Sequence, residues 1–177
     1  MLPPSAYVTY EHEYILVLRK GGLRHFNKHD RQRRRQSAYF WEERNQWFSD
    51  LWSDLPGVEQ GLSSDERETR SRSAAYPLEL AWRLIQMFSL QGDTVLDPYL
   101  GTGTTTVAAM MSGRNSLGIE RDPALGPIMR QRFAEAAELG RSKTRTRLAA
   151  HSDFIEERAR KRRPTKHMHH PLSIPVI

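Results

Sequence analysis

Residues 94–123 read TVLDPYLGTGTTTVAAMMSGRNSLGIERDP, and the reading of this stretch decides the fold. A short apolar run with β-branched Val95 ends in Asp97-Pro98, a Gly-x-Gly turn follows, and Thr104 to Ser112 continues without a breaker. The pattern predicts strand, tight turn, helix. Gly113 stands where a C′ glycine closes a helix, and Asn115 to Glu120 is a second apolar run that ends in a carboxylate. Two strands joined through one helix make a βαβ crossover. Its right-handed sense puts both strands in one parallel sheet, with their C-terminal ends at one cleft.

Gly101 and Gly103 allow the backbone to approach a ligand closely, and a helix starting at Thr104 aims its free N–H groups and positive dipole end at the same place. An anionic group is expected there. A dinucleotide loop would carry a third glycine and seat a pyrophosphate on the helix end, and that third glycine is missing. Asp97, just before the turn, would repel two phosphates and attract positive charge. S-adenosylmethionine matches these demands. Its carboxylate can take the helix N-terminus, its ammonium and sulfonium are cationic, and Glu120 at the end of the second strand can accept from ribose hydroxyls. Two alternatives stay open on these residues: a bare strand-to-helix turn that binds nothing, and a nicotinamide site. A Walker loop is excluded, since no Gly-Lys-Ser/Thr follows the glycines.

Residues 75–123 as a whole, AYPLELAWRLIQMFSLQGDTVLDPYLGTGTTTVAAMMSGRNSLGIERDP, resemble the cofactor-binding half of the N-4/N-6 DNA amino-methyltransferases in their β arrangement. The resemblance rests on the proline-started helix and on the loop Asp97-Pro98-Tyr99-Leu100-Gly101-Thr102-Gly103-Thr104-Thr105, where Tyr99 replaces the family's usual Phe. It implies an α/β chain built on a Rossmann-like methyltransferase sheet. It also implies S-adenosylmethionine as cofactor, DNA as partner, and methylation of the amino group of adenine or cytosine within a restriction-modification system. Asp97, Pro98, Tyr99, Gly101, Gly103, Thr104, Thr105 and Glu120 are the residues that would line the cofactor pocket.

The chain has 177 residues, enough for one domain with a core, and a formal net charge of +6 that suits a polyanionic partner. Cysteine is absent. That excludes disulfides, thiolate metal sites and a thiol nucleophile, and with the last goes methylation of cytosine at carbon 5. No apolar run is long enough for a membrane span and no signal-peptide pattern is present, so a soluble, cytoplasmic protein is expected.

Tyr7 to Lys20 reads as a strand apolar on both faces, with His12-Glu13 as a hydrogen-bonding pair at its end. Residues 21–44 are strongly basic. Arg24, Lys28, Arg31, Arg33, Arg34 and Arg35 are candidate phosphate contacts, the alternative being a solvated loop. Tyr39, Phe40, Trp41, Trp47, Phe48 and Trp52 are read as packing of a small subdomain. Residues 61–73 are polar and expected as a hinge, and Pro77 opens a helix with a wide apolar face from Leu78 to Phe88.

After Pro123 a helix is expected to end at Gly140, and Arg145 to Ala150 reads as a third strand. Asp153 at that strand's end could then accept from the adenine amino group while Phe154 packs on the ring. His167, His169 and His170 in the tail do not form a helical ligand face, and a disordered or partner-docking end is expected.

The boundaries drawn are a strand with the basic, aromatic-rich segment and hinge at 1–73, the S-adenosylmethionine-binding region at 74–160, and a tail at 161–177. The family's base-binding motif, Asp, Asn or Ser followed by Pro-Pro and an aromatic, does not occur. Asp97-Pro98-Tyr99 has one proline, and Leu2-Pro3-Pro4-Ser5 lacks the acceptor and the aromatic. The sheet is therefore expected to be incomplete. The leading expectation is the cofactor-binding half of an amino-methyltransferase, a fragment or one subunit whose partner chain carries the catalytic half. The others are a degenerate, non-catalytic DNA-binding relative and an unrelated nucleotide-binding α/β domain.

Overall fold

A computed structural model describes residues 13–55 and 76–161, together with the backbone of 167–169 and 174–176. In chain order its elements are α1 (Asp30–Gln36), α2 (Trp41–Trp47), α3 (Leu78–Phe88), β1 (Thr94–Asp97), α4 (Thr104–Met111), β2 (Asn115–Gly118), a 3-10 turn (Pro123–Leu125), α5 (Gly126–Arg160), β3 (His167–His169) and β4 (Ile174–Val176).

The βαβ unit forms as its sequence demands. β1 and β2 are parallel, with Val95 opposite Ser116 and Leu96 opposite Leu117. One face carries Val95 and Ser116 and is covered by α4, to which Ser116 is tied by a 2.8 Å hydroxyl bond with Thr106. Gly113 takes the left-handed conformation (φ +69°) that ends α4 and turns the chain into β2.

α3 starts from Pro77, whose extended backbone serves as its N-cap, and buries Ala81, Trp82 and Ile85. The core joins these residues to Ala108 and Ala109 of α4 and to Trp47 of α2. Trp47 meets Trp82 edge-on at 5.2 Å, and the Trp52 indole donates to the Trp47 carbonyl. The aromatic group thus packs α2 onto α3. Two buried arginines fasten the helices. Arg83 is bidentate to Asp54 and also pairs with Glu79. Arg114 donates to the Ser89 and Ser112 carbonyls, placing its charge where the C-terminal ends of α3 and α4 converge. Burial pulls the Arg114 pKa below its ordinary value.

Four expectations need correction. Arg145 to Ala150 is helical, because α5 runs unbroken for 35 residues. Gly140 does not end that helix. It is buried at the crossing with α4, where a Cβ would stand 3.1 Å from the Met111 Cα, so the glycine is there for close approach. The tail, where a disordered or partner-docking end was expected, contains a short antiparallel pair, β3 with β4, which replaces the first of those alternatives at 167–169 and 174–176. In the Tyr7 to Lys20 run, residues 1–12 lie outside the described residues, and 13–20 are exposed and join no strand ladder. Residues 56–75, with the expected hinge, also lie outside them.

Candidate cofactor site

The loop between β1 and α4 is pinned to the exit of β2. Leu100 N–H donates to the Ile119 carbonyl, and Ile119 N–H to the Asp97 carbonyl, both at 2.9 Å. Gly101 has φ +56° and nothing within 4 Å of where a Cβ would stand, so its outer side is open. Gly103 has φ +87° and is the N-cap of α4; a Cβ there would come within 2.6 Å of the Phe133 ring. The two glycines therefore do different jobs. Gly103 admits α5 against the loop, and Gly101 leaves room in front of it.

The acids gather at the same end of the sheet. Glu120 accepts from Gly101 N–H through Oε2 and from Asp122 N–H through Oε1, each at 2.8 Å. Asp97 accepts from Tyr99 N–H at 2.9 Å and lies 3.5 Å from the Tyr76 hydroxyl. That hydroxyl bonds the Thr105 hydroxyl at 2.6 Å, across the first turn of α4. Burial, with the Asp97 charge beside it, raises the Tyr76 pKa. No side chain caps α4, so the first-turn amides of Thr104 and Thr105 meet the loop uncapped. Pro98 and Tyr99 project at the rim, Tyr99 being 89 % exposed.

Sequence reasoning missed three members of this neighbourhood. Tyr76 precedes the helix-opening Pro77, a position that signals a helix start and nothing about its neighbours across space. Phe133 closes against Gly103, and Arg132 donates to the Thr102 carbonyl at 3.0 Å, burial lowering its pKa. An arginine and a phenylalanine inside a charged helix carry no local mark of that contact.

Asp153 and Phe154 are not brought to this cleft. They lie on α5, 21 residues beyond Phe133 at Phe154, which is about 30 Å along a helix. Asp153 is exposed, and Phe154 lies under the Arg158 guanidinium one turn on.

The basic segment divides in two. Arg24 and Arg33 both pair with Asp93, and Arg33 also donates to the Gln91 carbonyl. Burial works against ionisation of Asp93, but the hydrogen bonds from Arg24, Leu90 N–H and Arg33 outweigh it and hold the carboxyl at about 2. Lys28, Arg31, Arg34 and Arg35 are exposed. Arg34 lies over the Phe26 ring.

The DNA methylase family profile for N-4/N-6 enzymes matches residues 1–129. The chain belongs to the N-4/N-6 DNA methylase family. Its relatives include the Type II methyltransferase M.MthZI of Methanothermobacter thermautotrophicus, 54 % identical over 159 residues, covering 89 % of this chain and 44 % of that enzyme. The Type II methyltransferase M.MjaI of Methanocaldococcus jannaschii is 50 % identical over 132 residues, covering 75 % and 42 %. A crystal structure from Thermus thermophilus, assigned as a DNA modification methylase, superposes with a TM-score of 0.58 at 38 % identity, over 76 % of this chain and 49 % of that one. Its complex with S-adenosyl-L-methionine matches at 36 % identity and a TM-score of 0.51, over 66 % and 40 %. The chain thus spans less than half the length of these methylases, and its two-stranded parallel sheet is an incomplete Rossmann-like fold.

Proposed function

We propose that this methylase chain binds S-adenosylmethionine at the β1–α4 loop and acts in methylation of adenine or cytosine amino groups in DNA. The carrying observation is the convergence of Gly101, Asp97, Glu120 and the uncapped start of α4 at one strand-end cleft. These residues fit the cofactor. The open side of Gly101 admits a ligand, the α4 amides suit a carboxylate, and the two acids suit an ammonium and ribose hydroxyls.

Bound there, the cofactor would supply an electrophilic methyl group. The chain's own part is to orient it: Asp97 and Glu120 as acceptors, Thr104 and Thr105 as donors, Tyr99 as an exposed ring at the rim. Transfer to an amino nitrogen also needs a flipped-out base whose amino hydrogens are accepted and whose ring is stacked. The motif for that task is absent from residues 1–177. Base binding therefore falls to a polypeptide carrying the rest of the fold. Exposed Lys28, Arg31, Arg34 and Arg35 are the proposed phosphate contacts.

That same absence favours a second reading, a non-catalytic relative that binds DNA and retains the cofactor loop. Calorimetric titration with S-adenosylmethionine and with NAD tests the site, and binding of NAD alone would overturn it. Methyl transfer to mixed-sequence DNA, assayed for this chain alone and with a polypeptide bearing the Pro-Pro-aromatic motif, separates the readings. Turnover only in the pair supports the first; none in either supports the second.

A further inference from the structure

The arginines drawn into the packing differ in what compensates their charge. Arg83 pairs with Asp54 and Glu79, and Arg147 with Glu43. Arg114 donates to carbonyls at the C-terminal ends of α3 and α4, where a cation is favoured. Arg132 has neither compensation. It donates to the Thr102 carbonyl at 3.0 Å and to the Thr102 hydroxyl, and no carboxylate among the described residues forms a salt bridge with it. Glu135, on the same helix, acts on it only at longer range.

Thr102 stands one residue before Gly103, the N-cap of α4. The guanidinium is therefore held at the positive end of that helix, where a cation is disfavoured and an anion favoured. The first turns of α1, α2 and α3 each carry an acid, Asp30, then Glu42 with Glu43, then Glu79, whereas the first turn of α4 carries none. The strand-end acids do not supply it either, since Asp97 and Glu120 accept from the N–H groups of Tyr99, Gly101 and Asp122. The charge of Arg132 also reaches the cleft. The Tyr76 pKa is raised chiefly by burial, while Arg132 pulls it down, and the Tyr76 hydroxyl bonds Thr105 in the first turn of α4. An uncapped helix start with a cation beside it and no acid on it is a site that an arriving anion would relieve.

We propose that Arg132 is a positioning and specificity-determining residue of the cofactor loop: it fixes Thr102 between the two glycines, and its uncompensated charge selects a ligand that carries a carboxylate. This rests on the reading of the β1–α4 loop as the S-adenosylmethionine site and names what in this chain recognises the amino-acid end of that ligand. The bland alternative is a tether, in which Arg132 shapes the loop through its hydrogen bonds and its charge is incidental.

Calorimetric titration of the full chain with S-adenosylmethionine and with its decarboxylated analogue, which keeps the ammonium, the sulfonium and the adenosine, separates the two. Arg132→Gln keeps a donor for Thr102 and removes the charge. It should weaken S-adenosylmethionine about tenfold, a change of about 1.4 kcal/mol, and the analogue by no more than about twofold. Arg132→Lys restores the charge and should return S-adenosylmethionine affinity to within about threefold of wild type. Equal losses for the two ligands, or a lysine variant as poor as the glutamine one, would overturn the charge role. Acetate, a bare carboxylate, gives a readout free of the cofactor: it should shift the Thr104 and Thr105 amide resonances more in the wild type and Arg132→Lys chains than in Arg132→Gln. An equal response in all three would overturn the assignment of Arg132 while leaving cofactor binding standing. A response graded as expected in a chain that binds no S-adenosylmethionine would overturn the cofactor reading and leave Arg132 as the cation of an anion site.

Discussion

The glycine loop at 97–105 and the arginine-rich segment at 24–35 both carry sequence marks of a binding site, and the fold treats them differently. At the loop, what points to a ligand is backbone: a left-handed glycine with open space in front, and a helix start with no capping side chain. Its position follows from the strand before it and the helix after it. In the arginine segment the mark is side-chain charge, and two of the six cations turn inward to one carboxylate, Asp93, on the loop that enters β1. A long cationic side chain goes to the nearest acid with suitable geometry, and a sequence does not say which acid that is. Charge composition alone therefore does not say which cations face outward, while glycine spacing does locate the turn whose backbone stands open.

The sharpest break of this comparison separates the two glycines of the loop. Gly103→Ala forces a side chain into the left-handed region and into the Phe133 ring, costing about 2–4 kcal/mol of stability by denaturant unfolding. Adding Phe133→Leu should return the packing share and leave the backbone share. Gly101→Ala meets no neighbour, so it should cost only about 1–2 kcal/mol of backbone strain while losing more cofactor affinity than that strain explains. If both variants lost stability alike and bound alike, the division of labour between the glycines would be wrong.

Next in size come the acids. Asp97→Ala and Glu120→Ala should each weaken S-adenosylmethionine binding about tenfold, the scale of one charge-assisted hydrogen bond. Glu120→Ala also removes the acceptor for Gly101 and Asp122 N–H. It should therefore loosen the loop, seen as faster amide exchange at Gly101, whereas Asp97→Ala should not. Unchanged calorimetric affinity in both would remove the cofactor from this cleft.

The sheet, the crossover and the helix from Pro77 were legible because each is written in a local signal: apolar run, Gly-x-Gly, helix-period face. Gly140 was misread because a glycine late in a helical stretch signals a C-cap as readily as a close crossing, and only the position of Met111 distinguishes them. That one error moved the rest. Stopping the helix at Gly140 made Arg145 to Ala150 available as a strand, and the imagined strand then carried Asp153 and Phe154 to the cleft. Ala149, Ala150 and the following Glu-Arg run are good helix formers, and propensity summed over the whole window favours the helix that forms. Tyr76 and Arg132 escaped notice because their partners, Asp97 and Thr102, are 21 and 30 residues away.

A smaller effect tests the inward half of the basic segment. Asp93 has a folded pKa of about 2 against an ordinary 3.8, so its contribution is fully present above 3.8 and is lost as pH falls through about 2. Asp93→Asn should lower stability by about 1 kcal/mol at neutral pH, as partly exposed ion pairs do, with the gap to wild type closing across that acid window. The same variant should free Arg24 and Arg33, read as increased proteolysis within residues 24–36. A gap independent of pH would mean that Asp93 acts through its hydrogen bond from Leu90 N–H and not through its charge.

The smallest effect on the fold belongs to the outward half, and it bears most directly on DNA. Lys28, Arg31, Arg34 and Arg35 are exposed, so replacing Arg34 and Arg35 with Gln should leave unfolding within about 0.5 kcal/mol of wild type. If they contact phosphates, each lost contact should lower the slope of log affinity against log salt by about 0.9. Arg24→Gln with Arg33→Gln should do the reverse, changing stability and sparing the slope, because those two cations are already paired with Asp93. A slope untouched by Arg34 and Arg35 but reduced by Arg24 and Arg33 would mean that DNA pulls the inner pair away from Asp93. The segment would then have to rearrange on binding, and the division between inward and outward arginines would describe only the unbound chain.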